Sequence, residues 1–120
     1  MNEIQEILAK INGINGVTGS SMLTKDGITV VSMLGPGVLE EVVAGLSSFL
    51  LSTTRRSLAE AEMGTFHRFV LNSTHGRLIL VDLGDAVLVV MTDQFVTLKT
   101  CLATIEEAAV DLRRIARIHI

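Results

Sequence analysis

The chain has one cysteine, Cys101, one proline, and neither tryptophan nor tyrosine. A lone cysteine makes no intrachain disulfide, so the fold must hold without that staple, and a reducing cytoplasm suits it best. Four phenylalanines are the only aromatic residues, which leaves few rings for nucleobases to stack on. The net charge is −3, with acidic and basic residues interspersed, so no cationic stripe is offered to a phosphate backbone. Nucleic acid is therefore not an expected partner. Long apolar runs are missing too. The longest, Leu78–Val81 and Ala86–Met91, fall far short of the ~20 residues that span a bilayer, and no membrane insertion is expected. Residues Met1 to Glu6 are acidic and amphipathic, unlike the basic and apolar regions of a signal peptide. The expected location is the cytoplasm.

What is present in quantity is aliphatic side chain. Hydrophobic residues make up 48% of the 120 positions. A chain of this length suits one domain, spanning 1–120, that buries roughly two-thirds of its unfolded surface. So much apolar surface is hard to hide in a small domain, and a protein–protein interface is the natural place for the excess.

Ile4, Ile7, Leu8 and Ile11 repeat at helical spacing. Asn2 with Gln5 reads as a capping box, and Asn12-Gly13 as the stop. A strand is predicted over Val17–Leu23. Thr24-Lys25-Asp26-Gly27 turns it back into Ile28–Leu34, since Asp-Gly accepts the positive φ of a tight turn. Gly35-Pro36-Gly37 breaks the chain before a long helix predicted from Val38 to Met63. Val38, Leu39, Val42, Val43, Leu46, Phe49 and Leu50 fall within about 140° of one another on that helix, the width of a core-facing stripe. Leu51 and Leu58 lie outside it, near Ala44, Ser47 and Ser48, and form a second, weaker face that a neighbouring helix can approach.

Three short strands follow, Phe66–Asn72, Arg77–Asp82 and Ala86–Met91, separated by Ser73–Gly76 and Leu83–Asp85. The last is apolar on both faces and should be central. The first has polar ends and should be an edge. Thr92-Asp93 is placed to cap a final helix on which Phe95, Leu98, Cys101, Leu102, Ile105, Ala109, Leu112 and Ile115 keep the helical period. Arg113, Arg114 and Arg117 cluster in its last turns, where cations suit the helix dipole. Short turns force antiparallel neighbours. The predicted fold is α+β, in the order α-β-β-α-β-β-β-α, a five-stranded antiparallel sheet with helices on both faces.

Several segments carry a resemblance. Ile14-Asn15-Gly16-Val17 leads the first strand, Lys25-Asp26-Gly27 turns the hairpin, and the long helix follows Gly-Pro-Gly. Gly76-Arg77-Leu78-Ile79-Leu80-Val81-Asp82-Leu83-Gly84-Asp85-Ala86-Val87-Leu88 forms a strand, turn and strand near the end. In this order the chain resembles the Roadblock family of dynein light-chain-like domains, with its longin- and profilin-like sheet architecture. The family includes bacterial and archaeal regulators of small GTPases. The resemblance implies a homodimer, or a heterodimer with a related chain, in which second helices pack together and third strands pair edge to edge. It also implies a scaffold or a regulator of a small Ras-like GTPase, including activators that reshape the GTPase's own site without inserting an arginine. The dimer residues expected on this basis are Val43, Ser47, Leu50, Leu51 and Thr54 on the helix, with Arg68, Phe69, Val70 and Leu71 on the edge strand. A charge such as Leu51→Glu should then give monomers or insoluble protein. Many relatives carry a glycine and then an arginine early in the last helix, where this chain has Val96-Thr97-Leu98-Lys99.

No catalytic constellation stands out. There is no Gly-x-Ser-x-Gly elbow, and Cys101 falls on the apolar stripe of the last helix, where a buried inert thiol is expected. His67, His75 and His119 do not converge as metal ligands; His67 should lie opposite Asp82. Gly13–Gly16 and Gly35–Gly37 lack the Lys-Ser/Thr ending of a phosphate-binding loop. No enzyme activity, metal or cofactor is expected. Arg55 and Arg56 are the candidate partner-binding residues, against a plain role as a solvated pair bridging Glu60 or Glu62. The alternative function is a small-molecule sensor, which needs a sizeable pocket with polar groups to orient a ligand.

Overall fold

In the first helix, α1 (Glu3–Asn12), the capping box is present in full: Asn2 Oδ1 accepts from the Gln5 N–H at 2.8 Å, and Gln5 Oε1 accepts from the Asn2 N–H at 3.0 Å. Ile4, Leu8 and Ile11 are buried. At its far end Asn12 donates from Nδ2 to the Met33 carbonyl at 2.9 Å and accepts from Ser20 Oγ at 2.7 Å. One amide thus ties the helix to both strands of the first hairpin. The structure, a computed structural model, describes residues 2–119 and the side chains of residues 2–116. Arg117 and His119 have side chains outside the described ones.

The hairpin is β1 (Val17–Thr24) and β2 (Thr29–Met33), followed by α2 (Glu40–Glu60). Then come β3 (Arg68–Ser73), β4 (Gly76–Asp82), β5 (Ala86–Thr92) and α3 (Leu98–His119). The sheet is antiparallel throughout, in the order β2-β1-β5-β4-β3. β5 is central and β3 an edge, as their apolar patterns predict. His67 lies opposite Asp82, whose N–H donates to the His67 carbonyl.

Two cores sit on the two faces of the sheet. On one, α1 and α3 cover Met22, Ile79, Val81, Leu88 and Val90 with Leu8, Ile11, Ile105, Leu112 and Ile115. On the other, α2 alone covers Leu23, Leu78, Leu80, Val87 and Val89. Helices therefore lie on both faces, as expected, but unequally.

The bounds of α2 and the start of α3 differ from the sequence reading. α2 is shorter than Val38–Met63. It stops where Glu62 takes a left-handed φ of 59° and the Met63 N–H bonds back to the Leu58 carbonyl at 2.9 Å, a closure that ends the helical ladder. Asp93 does not cap α3. Its Oδ1 accepts from the Phe95 N–H at 2.9 Å, which makes a turn and leaves Phe95 exposed outside the helix.

The larger correction concerns the facing of α2. Most of the side predicted to meet the core is turned outward: Leu39, Val42, Leu46 and Phe49 are exposed, whereas Val43 of that side is buried together with Ala44, Ser47 and Leu51, which lie outside it. Small residues explain the choice. The hairpin turn docks on α2 at Gly27, whose missing Cβ would stand 2.9 Å from the Ser48 Cβ, and whose φ of +86° also favours glycine. With Ala44, Ser47 and Ser48 beneath it, the helix can lie close to a sheet already filled with leucine and valine.

Candidate functional site

The outward arc of α2 is the most distinctive surface of the molecule. Val42 is 61% exposed, Leu46 46% and Phe49 56%, and their spacing at i, i+4 and i+7 puts them in one stripe. Leu39 extends it at the helix start. Beside the stripe a groove of about 430 Å³ runs between α2 and the β3 side of the sheet, with Leu46, Leu71, Leu78 and Met91 among its lining. Beyond the groove lies the free edge of β3.

This geometry sorts the residues expected at a dimer contact. Val43, Ser47 and Leu51, expected at the contact with a second copy, are buried between α2 and the chain's own sheet. Leu51 is only 3% exposed. Leu50 and Thr54 are half-buried at the margin of the helix. On β3 the alternation divides the four. Phe69 packs toward α2 and Val70 toward α3, Leu71 is exposed, and Arg68 pairs with Glu106 on α3 at 3.2 Å. The stripe Val42, Leu46 and Phe49 was visible to sequence reasoning as an apolar arc but was assigned to the core.

Arg55 and Arg56 part company. Arg56 is exposed. Arg55 turns to Asp82, not to Glu60 or Glu62: its Nη2 lies 3.8 Å from Asp82 Oδ2, and its guanidinium sits 5.6 Å from the centre of the Phe66 ring. Asp82 also receives Lys25 Nζ at 2.8 Å and the Gly84 N–H at 3.0 Å. Burial alone would raise the Asp82 pKa. The hydrogen bonds from Lys25 and Gly84, with the charges of Lys25 and Arg55, outweigh it and hold the carboxyl below its ordinary value. One carboxylate therefore joins the β1–β2 turn, α2 and the β4–β5 turn.

Cys101 is buried on the core stripe of α3, and burial pushes its thiol pKa up against the opposing charge of Arg77, which disfavours the reactive thiolate. Among the described residues no group of three His, Cys, Asp or Glu side chains comes together to hold a metal ion. No helix of the described residues is long and apolar enough to cross a membrane.

Comparison with known proteins adds a family. The Roadblock/LC7 domain matches residues 3–92 of the chain. The uncharacterized protein MJ0310 of Methanocaldococcus jannaschii is 34% identical over 106 residues, covering 88% of this chain and 93% of the relative. Among solved structures, a Roadblock/LC7 domain from Streptomyces avermitilis superposes with a TM-score of 0.84 at 16% identity, covering 95% of this chain and 98% of the other. Myxococcus xanthus MglB gives 0.84 at 18% identity, covering 95% and 97%. At these identities the structures establish the likeness of fold.

Proposed function

We propose, on the premise that the chain belongs to the Roadblock/LC7 domain family, that it works as a dimeric, non-catalytic module that scaffolds or regulates a small Ras-like GTPase in the cytoplasm. The observation that carries this reading is the stripe of Val42, Leu46 and Phe49 lying next to the groove and the free edge of β3. A second copy related by a twofold axis would lay its own α2 along the same stripe and pair its β3 with this one. Two apolar stripes would then cover each other, and two open strand edges would disappear. The fold similarity to Myxococcus xanthus MglB and the regulatory roles implied by the sequence resemblance support the GTPase as partner. On this reading the module acts by holding the GTPase's own residues in place, and no inserted arginine is required of it.

Sedimentation equilibrium at low micromolar concentration tests the first half. A dimer is expected for the native chain and a folded monomer for Val42→Glu. A native monomer would sink the proposal. The second half is tested with purified small Ras-like GTPases of the same organism. The dimer should alter the GTP hydrolysis or nucleotide exchange rate of at least one, and the monomeric variant should not. Small-molecule sensing is the second reading, because the groove is roomy enough for a modest ligand. Ligand-induced shifts in Tm that survive dimer formation would favour it.

A further inference from the structure

At the end of the sheet that carries the β1–β2 and β4–β5 turns, a cleft of about 640 Å³ opens between the hairpin and the second half of α2. Lys25 and Asp26 line it from the turn, and Ser48, Ser52, Arg55 and Arg56 from the helix. Asp82 stands behind, holding Lys25 and Arg55. Three cations and two carboxylates meet here, an excess of one positive charge on a chain whose net charge is −3.

One of the cations is incompletely paired. Arg55 Nη2 is buried without a hydrogen-bond partner, since 3.8 Å to Asp82 Oδ2 is an ion pair and too long for a hydrogen bond. A guanidinium nitrogen removed from water and left unbonded is unfavourable. Arg55 is therefore held by charge and by the Phe66 ring; Nη2 itself is closed off, and it is the part of the side chain that reaches solvent, 32% of it, that can meet a second acceptor. The walls are fixed beforehand. Gly27 seats the turn on Ser48, and Lys25 is anchored on Asp82.

We propose that this cleft receives an acidic side chain, a glutamate or aspartate on a loop of the protein that the dimer regulates. The proposal rests on the regulatory reading above and names the chemistry of its partner contact. A carboxylate matches the single excess charge and the fork of Arg55. A dianionic phosphoryl group exceeds that charge and meets the Asp26 and Asp82 carboxylates. Ser48 and Ser52 hydroxyls supply neutral donors beside the guanidinium.

The test is an NMR titration of the isotope-labelled full chain at low salt, where charges at a surface are least screened. Three probes are compared: a capped pentapeptide with one central glutamate, its glutamine counterpart, and inorganic phosphate. The glutamate peptide should cause saturable shifts in the Arg55 side-chain N–H and in the Gly27, Ser48 and Ser52 amides. The glutamine peptide should not. Arg55→Gln should weaken binding about tenfold, Arg55→Lys by less, and Lys25→Gln should serve as an independent check. No saturable shift, equal shifts with the glutamine peptide, or tighter binding of phosphate would each overturn the proposal. Sedimentation and GTPase assays on the same samples keep the two readings apart. Failure here with an intact dimer and GTPase effect removes the cleft alone, whereas a monomeric native chain removes the parent reading.

Discussion

Replacing Phe49 with alanine should separate the protomers without harming the fold of either. A phenylalanine side chain offers on the order of 200 Å², and Phe49 is 56% exposed. Covering it in a dimer thus removes about 110 Å² from water per protomer, or about 3 kcal/mol at ~25 cal/mol per Å². In an isologous interface the change occurs twice. Alanine retains its own Cβ and the area figure is an upper bound, so a net loss of about 4 kcal/mol across the contact is reasonable. That raises the dimer Kd by about a thousandfold. The readout is Kd by sedimentation equilibrium, with urea unfolding under monomeric conditions as the control. Leu51→Ala provides the contrast. Leu51 is 3% exposed, so its truncation should reduce protomer stability by about 2–5 kcal/mol. A dimer that tolerates both Phe49→Ala and Phe49→Glu with unchanged Kd would refute the assignment of this face.

Asp82→Asn should lower stability at neutral pH by on the order of 1 kcal/mol, a modest figure because Lys25 and Arg55 are partly solvated. The native carboxyl titrates below its ordinary value, so its contribution is present above pH ~4 and is lost as pH falls through the folded pKa. Urea melts of both proteins should therefore differ at neutral pH and converge only once the pH has fallen through the lowered folded pKa. Gly76→Ala should be strongly destabilising in thermal melts, because its Cβ would collide with the Thr92 carbonyl of the neighbouring strand. Glu62→Gly should raise stability by roughly 0.5–1 kcal/mol, since Glu62 occupies a left-handed φ of 59° that glycine adopts without strain; chemical denaturation will show the sign. Asn12→Ala should cost about 1–3 kcal/mol by leaving the Met33 carbonyl and Ser20 hydroxyl short of a partner.

Local chemistry made much of the fold readable. The Asn2–Gln5 box, the Asp26-Gly27 turn and the all-apolar β5 each depend on near neighbours, and each is found where the residues indicate. The facing of α2 depends on what lies across from it. Hydrophobic periodicity finds the arc with the most apolar surface, and on this helix that arc contains Val42, Leu46 and Phe49. The sheet instead takes the arc of Ala44, Ser47 and Leu51, because Gly27 lets the hairpin come up against Ser48. A stripe of small residues facing an aliphatic sheet was the available signal. Asp82 was legible only as a strand end. Its union with Lys25 and Arg55 joins residues far apart in sequence that no periodicity connects.

The position of β1 in the sheet bears on how the chain reaches this structure. β3, β4 and β5 pair through short turns and can assemble from local contacts. β1 must join β5 across the whole intervening chain, with Thr24 meeting Ala86 at one end of the ladder. Closing that loop costs entropy before any pairing rewards it. The meander is therefore expected to form first, with the first hairpin docking on it later and carrying α1 with it through Asn12. Substitutions in β4 should slow refolding, whereas those at the Asn12–Ser20 link should mainly speed unfolding.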